Sequence, residues 1–260
     1  MKIYSWNVNC LNKNLDAVFE FIRTREFDVM CLQEVPEALL QRLRKLPYSC
    51  VSHVDFRRLS SKNAGPYHVA ILTPHKMISG KSFFVSRGLS QPLRTKVLIR
   101  LMRVFGWSEI EDRGAIYADI NLPNSSQILR IFSAHLRNDG PRERRKEFDI
   151  LAKHLVPGQN AIVCGDLNII DPPLLKMFNW AMGSSLLEGM PWYPERKIAE
   201  QTFGALGLQN PLYKKHTHTI FPSQLDHILI PQDWRVKHSE ILYDSMGSDH
   251  YPILIEALAL

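Results

Sequence analysis

The chain is punctuated by short apolar runs that are too brief for helices and too unbroken for half-exposed strands. Val29-Met30-Cys31-Leu32, Ile131-Phe132-Ser133-Ala134 and Ile162-Val163-Cys164 are the clearest. A strand that is apolar at nearly every position has both faces covered, so these runs demand a sheet with packing on each side. Similar stretches run from Lys2 to Val8, Asp28 to Gln33, Tyr67 to Leu72, Ala115 to Leu122, Leu129 to Ala134, Ala161 to Cys164, Leu225 to Ile230 and Tyr251 to Leu258.

Helical periods lie between them. Leu15, Val18, Phe19 and Ile22 follow i, i+3, i+4, i+7 spacing, and Leu39, Leu40, Leu43 and Leu46 do so behind Pro36, a residue suited to a first helical turn. Pro141 to Leu155 reads as a third helix with Phe148, Leu151, Ala152 and Leu155 as its stripe. Strands mixed with covering helices predict an α/β sandwich. The 260 residues contain no internal repeat and no Gly-, Ser- or Pro-rich linker, so one domain spanning 1–260 is expected. Ser86 to Arg113 and Pro172 to Gln209 fit neither period and read as insertions of the kind that shape a site.

Cys10, Cys31, Cys50 and Cys164 show no CxxC spacing, and two of them lie inside apolar runs, which predicts reduced core thiols. The N-terminal residues lack the apolar core of a signal peptide. No stretch approaches the ~18–20 apolar residues of a membrane span. A soluble, cytoplasmic protein is expected, and nothing suggests more than a monomer. A net charge of +6 and a pI near 9.1 favour polyanionic partners, nucleic acid first and an acidic membrane surface second.

Several apolar runs end in polar residues, which delivers those groups to one rim of a sheet. Asn7 and Asn9 follow the first run, Gln33 and Glu34 the second, His135 the run from Ile131, and Asp166 and Asn168 the run from Ile162. Gly247-Ser248-Asp249-His250 leads into the last run. Each alone could be a turn or cap residue. Together they supply carboxylate and carboxamide oxygens without a Cys or His cluster, a donor set for a hard cation: Mg²⁺ first, then Mn²⁺ or Ca²⁺. Such sites act on phosphate esters, and no organic cofactor is implied.

Six motifs in order, Ser5-Trp6-Asn7-Val8-Asn9, Leu32-Gln33-Glu34, Ser133-Ala134-His135-Leu136, Gly165-Asp166-Leu167-Asn168, Leu225-Asp226-His227-Ile228 and Gly247-Ser248-Asp249-His250, resemble the endonuclease/exonuclease/phosphatase family. The resemblance implies a four-layer sandwich, two mixed β-sheets face to face with helices outside. It implies Asn7, Glu34 and Asp249 around the metal, Asp166 orienting or deprotonating the attacking water, and Asn168 positioning water and phosphate. His250 would contact the phosphate with Asp226 holding its imidazole, and His135 would be a second imidazole there, a donor or general acid. Asn9 and Arg113 are expected at the substrate.

Apurinic endonucleases of this family carry Tyr at the position of His135 and an Arg-containing turn at Pro222-Ser223-Gln224-Leu225. The chain therefore resembles the branch of deoxyribonucleases, tyrosyl-DNA phosphodiesterases, sphingomyelinases and inositol-phosphate phosphatases. His216 and His218 flank Thr217 on a loop before Asp226 and could line the pocket, but they read first as solvated loop residues. A nucleic-acid substrate is expected first. A phospholipid or inositol phosphate is the alternative, because Arg94 to Trp107 interleaves cations with large apolar residues, like a helix at a membrane surface.

Overall fold

A computed structural model describes residues 1–59, 64–87, 92–102, 110–121, 127–173 and 175–259. One sheet has the order β12-β13-β1-β2-β4-β3-β6. Its members are β1 (Lys2–Asn7), β2 (Val29–Pro36), β3 (Ser49–Arg58), β4 (Gly65–Thr73), β6 (Ile110–Glu111), β12 (Arg235–Ile241) and β13 (Ile253–Leu258). The other has the order β10-β11-β9-β8-β7-β5. It contains β5 (Met77–Ser86), β7 (Arg113–Asn121), β8 (Ile128–His135), β9 (Asn160–Asp166), β10 (Leu208–Gln209) and β11 (Asp226–Pro231). Both are mixed: the parallel pairs β1/β2 and β8/β9 sit among antiparallel neighbours.

Side chains alternate between strand faces, and that alternation builds the layers. Ile3, Val29, Cys31 and Ile71 of the first sheet meet Ile131, Ile162, Cys164 and Ile228 of the second between the sheets. The intervening residues Trp6, Met30 and Leu32 point outward onto Val18 and Ile22 of α1 (Leu15–Thr24) and Leu39, Leu40 and Leu43 of α2 (Glu37–Leu43). On the far side Phe132, Val163 and Leu229 pack on Phe148 and Leu151 of α4 (Pro141–Ala152) and Phe203 of α6 (Glu195–Ala205). The result is the four-layer sandwich.

Some local expectations shift. Pro36 ends β2 with extended ψ of 148° rather than opening the helix, which begins one residue later. The first insertion holds α3 (Leu93–Met102) and β6, and the second holds α5 (Lys176–Ala181), α6 and β10. Residues 103–107 of the cation-rich segment lie outside the described residues. Cys31 and Cys164 are buried free thiols. Among the described residues no helix is long and apolar enough to cross a membrane.

Candidate active site

The inter-sheet layer turns polar at one end. Along the inward-facing positions Ile3 gives way to Ser5 and Asn7, Cys31 to Gln33, Ile131 to Ser133 and His135, and Cys164 to Asp166. The antiparallel partner β11 begins there, so register pairs Asp226 with Asp166, and Asp166 with His135. Gln33 Nε2 donates to Ser133 Oγ at 3.2 Å and to Ser5 Oγ at 3.5 Å, closing the apolar core beneath the site. His227 points the opposite way and meets Arg196 at 2.7 Å, which removes it from the site despite its place beside Asp226.

Three site residues depend on left-handed backbone. Asn9, Glu34 and Asn168 have φ of 59°, 56° and 54°. Asn tolerates this conformation, but a Glu there carries strain of roughly 1–3 kcal/mol. The β2/β4 register shifts between Leu32 and Val35, and this bulge turns Glu34 to the same side as Gln33. Gly165 is required just before Asp166: its φ is 147°, and a Cβ would come within 1.8 Å of the Ala134 carbonyl oxygen.

Asn7 Nδ2 donates to Glu34 Oε1 at 3.2 Å and to Asp166 Oδ2 at 3.0 Å. Glu34 Oε2 also accepts the Cys10 N–H, and Asp166 Oδ1 that of Asn168, each at 2.9 Å. The His250 imidazole meets Asp226 Oδ2 through Nδ1 at 2.7 Å, leaving Nε2 3.7 Å from Asp166 Oδ2. His135 is built the same way: Nδ1 lies 2.8 Å from Asp55 Oδ2, and Nε2 lies 3.6 Å from Asp166 Oδ2 and 3.9 Å from Glu34 Oε1. Two imidazoles thus flank one carboxylate oxygen.

Their charges support one another. Burial pulls the His250 pKa down, but Asp226, Asp166 and Asp249 push it up to about 10. Burial and Arg113 pull His135 down, and Asp55 with Asp166 outweighs them, so its pKa is raised. Burial raises Asp166, yet His250 and His135 hold it below the ordinary carboxylate range. Burial likewise raises Asp249, and the His218 and His250 imidazoles bring it to about 2.

The structure gathers Asn7, Glu34, His135, Asp166, Asp226 and His250 into one network. Asn9 bridges to the last turn: its N–H meets Asn7 Oδ1 at 3.0 Å and its Nδ2 meets Asp249 Oδ1 at 2.9 Å. The three expected metal residues are therefore joined through Asn9. Asn168 Nδ2 is bonded to the Leu136 carbonyl at 2.8 Å, which ties the end of β9 to the loop after His135. Arg113, expected at substrate, is buried with its guanidinium on Asp55 at 3.3 Å and against His135 Nδ1 at 3.0 Å.

One participant, Asp55, escaped sequence reasoning, and another, His218, was expected at the pocket only as the second reading. Asp55 sits inside a mostly polar strand, and only its place between phenylalanine and valine on β3 hints at burial. The solvated-loop reading of His218 is corrected: the residue is 8% exposed, its ring stacks on Phe221 at 4.7 Å, and it meets His250 edge-on at 4.8 Å. Its Nδ1 accepts the N–H groups of Ile220 and Phe221, so Nε2 carries the proton and faces Asp249 Oδ2 at 3.7 Å. The cause is the bridge between His218 and His250, a long-range pairing that loop composition does not reveal. His216 is exposed as expected.

The donor set fits a hard divalent cation. Glu34, Asp166 and Asp249 bring carboxylate oxygens and Asn7 a carboxamide oxygen to one rim, a set of hard oxygen donors of the kind such an ion takes. Ligand atoms of Asp166, Asp226 and His250 lie within 4.8 Å of one another, as do those of His218, Asp249 and His250. In both sets His250 is already engaged by a carboxylate, which makes the oxygen donors around Asn7 and Glu34 the better cradle for such an ion.

The sequence matches the endonuclease/exonuclease/phosphatase family over residues 4–250. An endonuclease/exonuclease/phosphatase from Beutenbergia cavernae superposes with a TM-score of 0.72 at 13% identity, covering 99% of this chain and 71% of that one. The human nocturnin catalytic domain with bound sulfate gives 0.66 at 17% identity, covering 99% and 94%. A mannosyl-6-phosphatase from Bacteroides thetaiotaomicron gives 0.64 at 14% identity over 100% of both chains. A sequence search of curated proteins found no match. At these identities the solved structures bear on the fold, while the sequence match spans all the strands that carry the polar end of the inter-sheet layer. The chain belongs to the endonuclease/exonuclease/phosphatase family, whose members hydrolyse phosphoester bonds.

Proposed function

We propose that the protein is a Mg²⁺-dependent phosphodiesterase in which water attacks a phosphate ester in line with the leaving oxygen, with nucleic acid as the substrate class. The observation that carries this is the pair of imidazole Nε2 atoms 3.6 and 3.7 Å from Asp166 Oδ2. A carboxylate kept ionised between two proton-bearing rings can take a proton from water while the rings serve the phosphate.

Asp166 is the base in this reading. Its Oδ1 is held by the Asn168 N–H and its Oδ2 by Asn7, which fixes the carboxylate plane before substrate arrives. Asp226 and Asp55 each accept from an Nδ1–H, and because the carboxylates raise both imidazole pKa values the charged ring is favoured, in which Nε2 also carries a proton and presents it inward. His250 donates to the phosphoryl oxygens and His135 protonates the leaving oxygen. Arg113 acts through Asp55 and His135. Glu34, with Asn7 and Asp249, would hold the cation, which draws charge from the phosphoryl oxygens when bound.

Aromatic residues at the mouth support nucleic acid. Exposed Phe221 stacks beside His218, and exposed Tyr243 stands edge-on to Tyr251 at 5.3 Å, next to His250. Stacking on such rings contributes about 1–3 kcal/mol per base. The net positive charge acts in the same direction. A phospholipid or inositol phosphate is the second reading, favoured by apolar residues on the outer face of α3. The test is hydrolysis with Mg²⁺ of plasmid DNA, single-stranded DNA, RNA, 5′-tyrosyl DNA and phosphoinositides. Turnover of a nucleic acid is expected. Turnover of phosphoinositides alone would replace the substrate reading, and turnover of none with Mg²⁺, Mn²⁺ or Ca²⁺ would end the phosphodiesterase reading.

A further inference from the structure

Helix α3 is attached to the fold by one narrow face. Thr95 and Ile99 are buried, and Thr95 Oγ1 donates to the Ala181 carbonyl at 3.3 Å. Arg94 fastens the helix to α5: its Nε donates to the Trp180 carbonyl at 3.0 Å, its guanidinium also meets the Ser184 carbonyl, and it lies over the Trp180 ring at 5.2 Å. At about 100° per residue, Leu93, Val97 and Leu101 fall on the side opposite Thr95 and Ile99. They are 78%, 50% and 69% exposed. A helix that needed only to pack on the core would carry polar residues there.

Exposed Lys96 and Arg100 border the stripe on one side, Arg94 borders it on the other, and α3 contains no acidic residue. On adjoining α5, Met177 and Trp180 are one helical step apart and are 58% and 42% exposed. We propose that this α3/α5 face docks the protein on an anionic phospholipid bilayer, with Leu93, Val97 and Leu101 entering the interface and Lys96 and Arg100 meeting lipid phosphates. An in-plane interfacial helix has this arrangement, an aliphatic row between cations with an aromatic at its edge. Nucleic acid offers no apolar medium for a projecting Leu/Val/Leu row, whereas acyl chains do. The docking shares its α3 face with the phospholipid reading but does not depend on which ester is cleaved, because it uses none of the residues at the polar end of the sheets.

The test is flotation of the full chain with vesicles of phosphatidylcholine plus phosphatidylserine, against vesicles of phosphatidylcholine alone. The wild type should float with the anionic vesicles. Leu93→Gln/Val97→Gln/Leu101→Gln should lower that partitioning at least about tenfold. Removing Lys96 and Arg100 as Gln should lower it about fivefold per cation and flatten its salt dependence. All substituted positions are exposed, so both variants should keep the wild-type melting curve. Wild type that does not float, or a triple variant that floats unchanged, overturns the proposal. So does a solution dimer that the triple variant dissolves, which would assign the stripe to a second copy. DNA binding lost in the Lys96/Arg100 variant without any vesicle binding would assign the face to nucleic acid and overturn it equally.

Discussion

Glu147 carries a charge whose burial makes the stability of the fold depend on pH. It lies on the buried side of α4, where its Oε2 accepts the Arg137 N–H at 2.8 Å and holds the loop that follows His135. Its Oε1 stands 4.0 Å from Arg137 Nε, an ion pair too long for a hydrogen bond. Burial pushes the carboxyl pKa from 4.5 up to about 7, and the Arg137 N–H, the Ser86 hydroxyl and the Arg113 and Arg137 guanidiniums pull it back only in part. Between these two values the folded protein holds a proton that the unfolded chain has released, so stability falls as pH rises through that window. The full penalty above the window is about 3 kcal/mol, from 1.36 kcal/mol per unit. Glu147→Gln keeps the acceptor for Arg137 and removes the charge. Its stability advantage over wild type should grow by about 2–3 kcal/mol between about pH 5 and about pH 8, measured by urea denaturation at each pH. A difference that stays flat across this range would mean that the charged carboxylate is compensated in the fold, and the burial argument would be wrong.

Other substitutions separate the parts of the account. Asp55→Ala strips a buried guanidinium of its carboxylate and should cost about 3–5 kcal/mol in chemical denaturation, while Asp55→Asn should fold and lose at least about tenfold in rate. Gly165→Ala should cost about 3 kcal/mol or more by the same assay, against about 1 kcal/mol for Gly158→Ala, whose Cβ meets nothing within 4 Å. Asp166→Asn and His250→Ala should each lower kcat at least about a hundredfold, with Asp226→Asn less damaging because the imidazole remains. Equal losses in Asp226→Asn and His250→Ala would remove the supporting role given to Asp226.

The central strands were legible because both of their faces are covered, as in Val29-Met30-Cys31-Leu32 and Ile162-Val163-Cys164. The strands without a signal lie at or next to sheet edges. β12 reads Arg-Val-Lys-His-Ser-Glu-Ile and β5 carries Ser79, Lys81 and Ser82 on an exposed run, as edge strands do to discourage pairing with other chains. β3, next to the short edge strand β6, mixes polar and apolar residues in the same way, and Asp55 was hidden inside it. In the site, residues that end buried strands were visible from sequence. His218 could be read only as one of two alternatives, because its place is set by a bridge to His250. The left-handed turn at Glu34 was hidden, since a bulge is fixed by the register of the neighbouring strand.

The most direct test of the account is phosphodiester hydrolysis by wild type and Glu34→Gln, each with Mg²⁺ and with excess EDTA, alongside calorimetric titration of Mg²⁺ into both proteins. Glu34 accepts from Asn7 through Oε1 and from the Cys10 N–H through Oε2, and Gln can accept only one of these bonds, so the variant should fold with a loss of about 1–3 kcal/mol that the melting curve reads separately from activity. Wild type should turn over only with the cation, and Glu34→Gln should lose nearly all turnover together with measurable cation binding. Undiminished turnover in excess EDTA, or a Glu34→Gln variant that binds Mg²⁺ and hydrolyses like wild type, would contradict a cation-dependent site built around Glu34.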